Sequence, residues 1–253
     1  MDNVSQVDKV WSVLPAICAW IFVYSMPPNP RVLFVATLIT IWALRLTFNA
    51  CRRGFYVWPP WSGEEDYRWR HVRSTTFKNR PCLFVIFNFF FISAYQMCLI
   101  FLFTCPVILC HTKAPLSVLD LFAGAIMVTL IVLEFIADGQ QQTFQNEKYR
   151  QIAKLGKPKF PYSLGFVHTG LWAYSRHPNF ICEQLVWLTV YSFSAIAQGQ
   201  WFNPSVIGPI LLILLFVGST NLTEELTASK YPEYKHYQQH VAVFIPLPWA
   251  KPY

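Results

Sequence analysis

Long apolar runs constrain the fold of this 253-residue chain more than any other feature of its sequence. A helix needs about 20 mainly apolar residues to cross a lipid bilayer. Only 13% of the residues are charged, whereas soluble domains carry about 25%. The sequence therefore predicts an all-α, polytopic membrane helix bundle that forms a single integral-membrane domain over residues 1–253. The six candidate spans cover about residues 10–26, 31–50, 82–110, 115–137, 178–198 and 204–222.

The basic residues are concentrated in alternate connections between these runs. Segment 51–81 holds seven Lys or Arg, segment 138–176 holds six and the tail 223–253 holds three. Basic residues are retained on the cytosolic side of a membrane, so six spans in three hairpins place these segments and both termini in the cytosol. The 82–110 run is longer than one span needs, which predicts a tilted or kinked helix, or a seventh element.

Missing motifs exclude several kinds of chemistry. The seven cysteines contain no CxxC pair and the sequence has no HExxH, so we predict no metal site. It also lacks GxSxG, GxGxxG and GxxxxGK[ST], which excludes the serine-hydrolase, Rossmann and P-loop signatures. The net charge of +7 is confined to particular loops, so it indicates a membrane protein rather than a nucleic-acid-binding one.

Polar residues stand at the start of the fifth apolar run, in WAYSRHPNFICEQLVW (172–187). Pro178 suits the first position of a helix, where its missing N–H is not needed. Asn179 and Glu183 are four residues apart and therefore share one helix face. Glu183 lies about one turn inside the apolar stretch, where an ionisable group normally faces a bundle interior or a wet cavity. The alternatives are a polar binding cavity and an interfacial anchor based on Arg176.

A second polar face ends the fourth apolar run, in EFIADGQQQTFQ. Glu134, Asp138, Gln142 and Gln145 recur at the spacing of one helix face. Acidic groups near a helix C-terminus oppose the helix dipole. This pattern fits either a solvated helix end or an acidic site that an arginine or a ligand compensates.

The tail NLTEELTASKYPEYKHYQQHVAVFIPLP follows the last apolar run. Glu224 comes directly after that run, and Tyr234 and Tyr237 share a helix face. The tail fits an amphipathic surface helix with aromatic anchors, or a segment that folds back across the cytosolic mouth of the bundle.

Basic residues also end the second apolar run, in WALRLTFNACRRGF. Arg45 lies inside the span and either snorkels to the interface or pairs with an acidic residue. Arg53 lies at the exit, before the aromatic and charged loop FYVWPPWSGEEDYRWRHVR. This loop fits either a membrane-hugging segment or a lid over a cofactor, with arginines for phosphates.

All these clusters lie at the predicted cytosolic ends of spans, so we expect cytosolic loops to close one cofactor pocket that opens to the lipid. GLWAYSRHPNFICE…W resembles the signature of the steroid 5α-reductase C-terminal superfamily, in a branch of little-characterised membrane proteins. WALRL, EDYRW, EFIADGQQQTF and YPEYKHY…FIP also agree with that branch. The resemblance covers about residues 40–248, and its reductase-like signature about residues 115–248.

The resemblance implies a membrane-embedded oxidoreductase acting on CH–CH groups. Members with known activity use NADPH to reduce a sterol double bond or one conjugated to a carbonyl. By resemblance, Asn179 and Glu183 contact the nicotinamide carboxamide and Trp187 packs beneath them. Asp138 and Tyr174 would hold the ribose or phosphate region. The remaining implied cofactor-binding residues are Arg176 and His177 near the dinucleotide, Arg53 at a phosphate, and Glu224 and Tyr234 of the tail.

The chain departs from the steroid 5α-reductases at two places. Phe216 and Thr220 stand where those enzymes carry an Arg and a His, and no acidic residue occurs between Val10 and Gly63. The substrate is therefore left open among sterol, polyprenyl and fatty-acyl lipids, and the catalytic residue is left unassigned. The candidate proton donors are Tyr24, Tyr56, Tyr67 and Tyr95.

A second resemblance carries an alternative function. RHP, EELTASKYPEYKHY and FIP are similar to isoprenylcysteine carboxyl methyltransferases, which bind S-adenosylmethionine. The Asn179 amide, which offers both a donor and an acceptor, favours the NADPH interpretation, and a non-enzymatic membrane protein is the third alternative. On either enzymatic interpretation we expect a multi-pass protein, in the endoplasmic reticulum if the chain is eukaryotic, whose partners are the lipid bilayer and a hydrophobic lipid substrate.

Overall fold

The computed structural model describes residues 4–59 and 62–245. These residues form helices and connecting loops, and within them the only β-type pairing is a single bridge between Ser175 and Ala242. The predicted all-α class is confirmed. The end of the FIP tail motif, Pro246, lies outside the described residues.

The described part of the chain contains eleven α-helices and one long π-helical segment. Short 3-10 turns occur at Tyr162–Leu164, Gly170–Ala173 and Pro204–Val206. The α-helices are α1 Gln6–Trp11, α2 Leu14–Ser25, α3 Pro30–Arg52, α4 Tyr67–Thr75, α5 Pro81–Phe87, α6 Gln96–Thr104, α7 Pro106–Leu109, α8 Val118–Leu155, α9 Pro178–Gln198, α10 Ile207–Lys230 and α11 Tyr234–His240.

Five helical stretches of the described chain are long and apolar enough to cross a membrane. They are Pro30–Arg52, Pro81–Leu109, Val118–Leu155, Pro178–Gln198 and Pro204–Lys230. The protein is therefore an integral, multi-pass membrane protein. The long stretch Pro81–Leu109 forms one span, because a π-helical segment at Asn88–Tyr95 and a break before Pro106 take up its extra length.

The first predicted span, 10–26, is not one long helix. It is broken between α1 and α2 at Ser12 and Val13, just before Pro15, which has no N–H to continue a helix. The α2 helix has 12 residues and is therefore only about 18 Å long, against about 30 Å for the hydrocarbon core. Five long spans and one short helix thus replace the six predicted spans.

The described residues fall into two compact units. The first unit comprises Met1–Val128 and Trp187–Ile213, and the second comprises Thr129–Val186 and Leu214–Tyr253. The helices α8, α9 and α10 each contribute residues to both units. The organisation of the chain as a single domain stays a prediction.

An aromatic cluster forms part of the core of the first unit. Trp42, Phe103 and Trp187 are completely buried. The Trp187 ring centroid lies 4.9 Å from that of Trp42 and 4.2 Å from that of Phe103. Large aromatic side chains dominate the apolar area that a core buries. This cluster therefore packs Trp187 of α9 against α3 and α6.

A polar network joins the start of α3 to the start of α8, also in the first unit. Arg31 donates from Nε to Asp120 Oδ1 at 2.8 Å and from Nη2 to Oδ2 at 3.0 Å, and both side chains are buried. The same guanidinium donates to Thr112 Oγ1 and to the Pro115 carbonyl. Asn29 accepts from the Arg31 N–H and donates to the Thr112 carbonyl. Each charge is therefore paired and hydrogen-bonded, as burial requires.

The N-terminal helix packs against the aromatic and charged loop of the first unit. Lys9 Nζ donates to the Ser62 carbonyl at 2.6 Å, and Trp69 Nε1 donates to Asp8 Oδ2 at 3.2 Å. Burial, together with the neighbouring Asp66 carboxylate, raises the pKa of Asp8 to about 6. Asp66 itself pairs with Arg68 at 2.7 Å. This contact with α1 is a third role for the loop, beside the two that the sequence predicts.

The second unit is built on the tail and on the segment before α9. Phe166, Tyr234, Tyr237 and Val241 form one buried apolar cluster. The Phe166 and Tyr234 rings meet edge to face with centroids 5.0 Å apart. The tail folds back onto the segment before α9, and Tyr234 and Tyr237 are buried instead of serving as surface anchors. That the tail crosses the cytosolic mouth of the bundle stays a prediction.

Candidate functional site

The site begins at Pro178, which is the first residue of α9 as predicted. The residues before it are extended and pair with the tail. Arg176 N–H donates to the Ala242 carbonyl at 2.9 Å, and His177 N–H donates to the Val243 carbonyl at 3.1 Å. The start of α9 is therefore held in place by a segment some 65 residues later in the chain.

Glu224, on α10, is the centre of a partly buried polar network in the second unit. Arg176 makes a bidentate ion pair with it, from Nε to Oε1 at 2.6 Å and from Nη2 to Oε2 at 3.0 Å. His177 Nε2 lies 3.0 Å from Oε1, and Gln238 Nε2 donates to Oε2 at 3.0 Å. Tyr234 O–H donates at 3.5 Å. Burial, with the Glu224 charge nearby, raises the pKa of Tyr234, so its hydroxyl stays protonated at neutral pH.

The remaining donors of Arg176 also point into the protein. Its Nη1 donates to the carbonyls of Gln238 and Val241. A guanidinium has five N–H donors in a fixed fork, and here every nitrogen is engaged by the tail or by Glu224. Arg176 and His177 thus fasten the tail, and we name the set Arg176, His177, Glu224 and Gln238 the tail latch.

A second polar group joins α8 to α9. Asn179 Nδ2 donates to Asp138 Oδ1 at 3.2 Å, whereas the buried Asn179 Oδ1 accepts no hydrogen bond from residues 4–59 and 62–245. Glu183, one turn further along α9, is 6% exposed, and Glu134, one turn before Asp138 on α8, is 4% exposed. Glu134, Asp138 and Glu183 of the two predicted helix faces are therefore buried. We name Glu134, Asp138, Asn179 and Glu183 the amide cluster.

The acidic face of α8 is buried only in its first half. Glu134 and Asp138 are buried, whereas Gln142 donates to the exposed Asn146 at 2.8 Å. At 1.5 Å per residue the 38-residue α8 is about 57 Å long, which is far more than a span requires. The helix therefore continues well beyond its apolar stretch.

Loop residues that the sequence did not single out support the amide cluster. Trp172 Nε1 donates to the Ala137 carbonyl at 3.1 Å, and Leu171 N–H donates to Gln140 Oε1 at 3.0 Å. Gly170 has φ +65°, and a Cβ there would lie 2.4 Å from Gln140 Nε2. The positive φ favours glycine at this position, and the GLW sequence packs the loop onto α8 through Gln140 and the Ala137 carbonyl.

Three predicted cofactor-binding residues lie apart from these contacts. Tyr174 is 51% exposed in the second unit. Trp187 belongs to the first unit and packs in its aromatic cluster. Arg53 also belongs to the first unit, where its guanidinium lies 5.6 Å from the centroid of Phe55. The described contacts of Trp187 and Arg53 are thus those of packing residues.

The four tyrosines considered as proton donors all belong to the first unit. Tyr56 donates from its hydroxyl to the Lys9 carbonyl at 2.6 Å, and Tyr95 stacks on Phe91. Tyr24 is 82% exposed and Tyr67 is 49% exposed. None of these contacts singles one of them out as a donor.

The residues that replace the reductase Arg and His lie in the second unit. Phe216 packs edge to face on Phe180 with centroids 4.9 Å apart. Thr220 is 3% exposed, and its Oγ1 has no hydrogen-bond partner among the described residues. By the sequence resemblance, Phe216 and Thr220 therefore stand at positions that are basic in the steroid 5α-reductases.

A nicotinamide carboxamide fits the amide cluster better than a phosphate fits the tail latch. A primary amide offers two N–H donors and one acceptor, and the buried Asn179 Oδ1 is an acceptor without a donor. By contrast, Arg176 and His177 are already bonded to Glu224. The phosphates of a dinucleotide would need cations other than these two.

The fold and these two groups define an integral membrane protein with polar groups where the apolar stretches of α8, α9 and α10 begin or end. The chain belongs to the family described as protein of unknown function (DUF1295), whose model matches residues 1–241. It is similar to uncharacterized protein C594.04c of Schizosaccharomyces pombe, with 36% identity over 257 residues that cover 96% of this chain and 73% of that protein. No solved structure matches the chain.

Proposed function

We propose that the protein is an NADPH-dependent oxidoreductase that reduces a carbon–carbon double bond of a membrane-dissolved lipid. The observation that carries the proposal is the buried, unsatisfied carbonyl of Asn179 beside Asp138. An unmade hydrogen bond of this kind costs about 1–3 kcal/mol, and a bound amide N–H would remove that cost. The resemblance of GLWAYSRHPNFICE to the steroid 5α-reductase superfamily supports the same assignment.

The amide cluster would bind and orient the nicotinamide. Because Asn179 donates from Nδ2 to Asp138, its carbonyl oxygen is left for another donor and would accept the carboxamide N–H. Glu183 lies on the same face of α9 and would accept a second carboxamide N–H. NADPH supplies the hydride when it is bound, and the protein supplies binding, orientation and an apolar surrounding. The tail latch positions the start of α9 and so holds Asn179 in place.

The membrane supplies the substrate in this proposal, which gives the protein a role in lipid metabolism. The polar groups at the ends of the apolar stretches of α8, α9 and α10 would face the cytosol, where the cofactor is found. This orientation agrees with the basic segments 51–81 and 138–176. Both termini would be cytosolic if α2 completes a sixth crossing. In its support, α2 and the residues before it contact α3: Trp20 donates to Thr40, and Thr47 donates to Ser12. We propose the endoplasmic reticulum as its compartment.

The test is ligand-dependent thermal unfolding of the purified full-length protein in detergent. NADPH should raise the unfolding temperature, since a ligand that binds only the folded state stabilises it by mass action. Asn179→Ala should remove most of this shift. Asn146→Ala, at an exposed asparagine of α8, is the matched control and should leave it intact. An undiminished NADPH shift in Asn179→Ala would exclude the amide cluster as the carboxamide site.

A methyltransferase that uses S-adenosylmethionine is the second candidate, and the acidic character of the amide cluster favours it. Glu134, Asp138 and Glu183 are all buried there, and buried carboxylates favour a cationic ligand such as a sulfonium. This candidate predicts a thermal shift with S-adenosylmethionine and none with NADPH. A non-enzymatic protein predicts a shift with neither.

A further inference from the structure

A buried lysine without a carboxylate partner lies in the second unit, outside the tail latch and the amide cluster. Lys148, on the part of α8 beyond the apolar stretch, is 5% exposed. Its Nζ donates one hydrogen bond, to the Gly165 carbonyl at 3.2 Å. In residues 4–59 and 62–245, no carboxylate lies within ion-pair distance of this ammonium. Since an ammonium has three donors, two of them find no acceptor in the described protein.

Aromatic rings and a second lysine surround this ammonium. Lys148 Nζ lies 4.9 Å from the ring centroid of Tyr149 and 5.7 Å from that of Tyr231. Lys230, the last residue of α10, places its Nζ 5.4 Å from the same Tyr231 ring. Two like charges therefore border one ring, and Lys230 too has no ion-pair partner in the part of the chain that the structure describes.

The Tyr231 ring lies against the backbone at Gly165. Gly165 has φ +86°, and a Cβ at this residue would lie 2.1 Å from Tyr231 Cε1. The glycine therefore lets the ring lie directly on the chain, while its carbonyl accepts the bond from Lys148. One loop residue thus fixes both the ring and the lysine.

Burial of a cation without a counter-ion is unfavourable, and a nearby like charge adds to the cost. A bound anion would remove both penalties and would use the free donors. We propose that Lys148, Lys230 and Tyr231 form a binding site for a phosphate group. Lysine binds phosphate as a compact point charge, and the aromatic face of Tyr231 offers a surface on which a purine can stack.

The phosphate has two candidate sources, a nucleotide or a phospholipid headgroup. The nucleotide source rests on the proposed function, and it supplies the cations that the tail latch does not offer to a dinucleotide. In that case this site would hold a phosphate at the adenosine end of NADPH, while the amide cluster holds the nicotinamide end. The phospholipid source requires only that the second unit meets the membrane surface.

The experiment compares three variants of the full-length protein in detergent by thermal unfolding. Lys148→Met keeps the apolar stem and removes the charge, and Lys230→Met removes the second charge. Lys154→Met, at an exposed lysine on the same helix, is the control. The probes are inorganic phosphate, adenosine 2′,5′-bisphosphate, NADPH and short-chain phosphatidic acid.

We expect Lys148→Met to unfold at a higher temperature than the wild type without ligand, because a buried charge is gone. Its affinity for the effective phosphate probe should fall about tenfold or more, the size of one lost charged hydrogen bond. Lys230→Met should lower the affinity for the same probe by a smaller factor. Lys154→Met should change neither the unfolding temperature nor this affinity. A shift with adenosine 2′,5′-bisphosphate but not phosphatidic acid assigns a nucleotide, and the reverse assigns a lipid.

Two other results separate this site from the proposed function. If every phosphate probe binds Lys148→Met as well as wild type, the phosphate site is wrong, even where NADPH binding stands. If inorganic phosphate binds through Lys148 while NADPH has no effect, the phosphate site stands and the oxidoreductase proposal falls. A lower unfolding temperature of Lys148→Met together with unchanged phosphate affinity would make Lys148 a structural residue.

Discussion

Two polar groups of this protein differ in whether their hydrogen bonds are complete. The Arg31–Asp120 network of the first unit pairs both carboxylate oxygens of Asp120 with one guanidinium, and Asn29 beside it uses both ends of its amide. In the amide cluster of the second unit, by contrast, the buried carbonyl oxygen of Asn179 accepts no hydrogen bond from any residue that the structure describes. A saturated network is complete within the protein, whereas an unsaturated one has capacity left for a ligand.

This difference in hydrogen bonding indicates which buried polar residues are structural and which are candidates for binding a ligand. A fully satisfied buried network fixes one arrangement of the chain, and its removal leaves an uncompensated charge. An unsatisfied acceptor lowers stability in the unliganded protein and persists where it serves a binding site. The tail latch belongs with the first kind, since Glu224 is saturated by Arg176, His177 and Gln238.

The largest effect should follow from breaking the saturated network. Arg31→Met leaves Asp120 charged and buried without its partner, so we expect the free energy of unfolding to fall by about 3–5 kcal/mol. Lys113→Met, at an exposed lysine in the same region, is the control and should change stability little. Denaturant unfolding in detergent measures both. A loss below about 1 kcal/mol for Arg31→Met would mean that the network does not hold α3 to α8.

The tail latch should give the next largest effect. Glu224→Gln removes the charge that pairs with Arg176, which should lower the free energy of unfolding by about 2–3 kcal/mol. Limited proteolysis should then cut the tail near α11 faster than in the wild type. Glu225→Gln, at the exposed neighbouring residue, should leave both quantities unchanged. Equal cleavage rates in the two variants would show that the tail is held by apolar packing alone.

The Asp8 carboxylate is a buried charge that its neighbours compensate only in part. Its effect on the stability of the folded protein should therefore depend on pH. Its pKa in the folded protein is about 6, raised by burial and by Asp66 although Arg68 lies nearby. A raised pKa means that the folded state binds the proton more tightly, so stability is lost as pH rises from about 4 through 6. Asp8→Asn should therefore stabilise the protein by about 2 kcal/mol at pH 7 and by almost nothing near pH 4. A gain that is equal at both pH values would contradict the assigned pKa.

The smallest effect compares two asparagines directly. Asn29→Ala removes an amide whose both ends are bonded and which caps α3, so it should cost about 1–2 kcal/mol of unfolding free energy. Asn179→Ala loses one hydrogen bond but also removes an unsatisfied acceptor, so the net change should stay within about 1 kcal/mol. Thermal unfolding of the two variants side by side measures the difference. A larger loss for Asn179→Ala than for Asn29→Ala would assign Asn179 a structural role.

The sequence by itself determined the features that depend on local periodicity and on apolar length. The apolar runs identified the all-α membrane fold, and a proline without an N–H identified the start of α9 at Pro178. The spacing of four residues placed Asn179 and Glu183 on one face. Burial of that face is what an ionisable residue within an apolar run requires.

The tertiary structure alone decided which polar groups meet. Arg176 was expected near a dinucleotide, but its partner is Glu224, 48 residues later, and no local pattern specifies a contact over that distance. The contact of Gly170 with Gln140 and the approach of Lys148 to Gly165 were likewise decided by packing. Helix periodicity is a property of neighbouring residues, whereas the saturation of a buried charge depends on every segment that surrounds it.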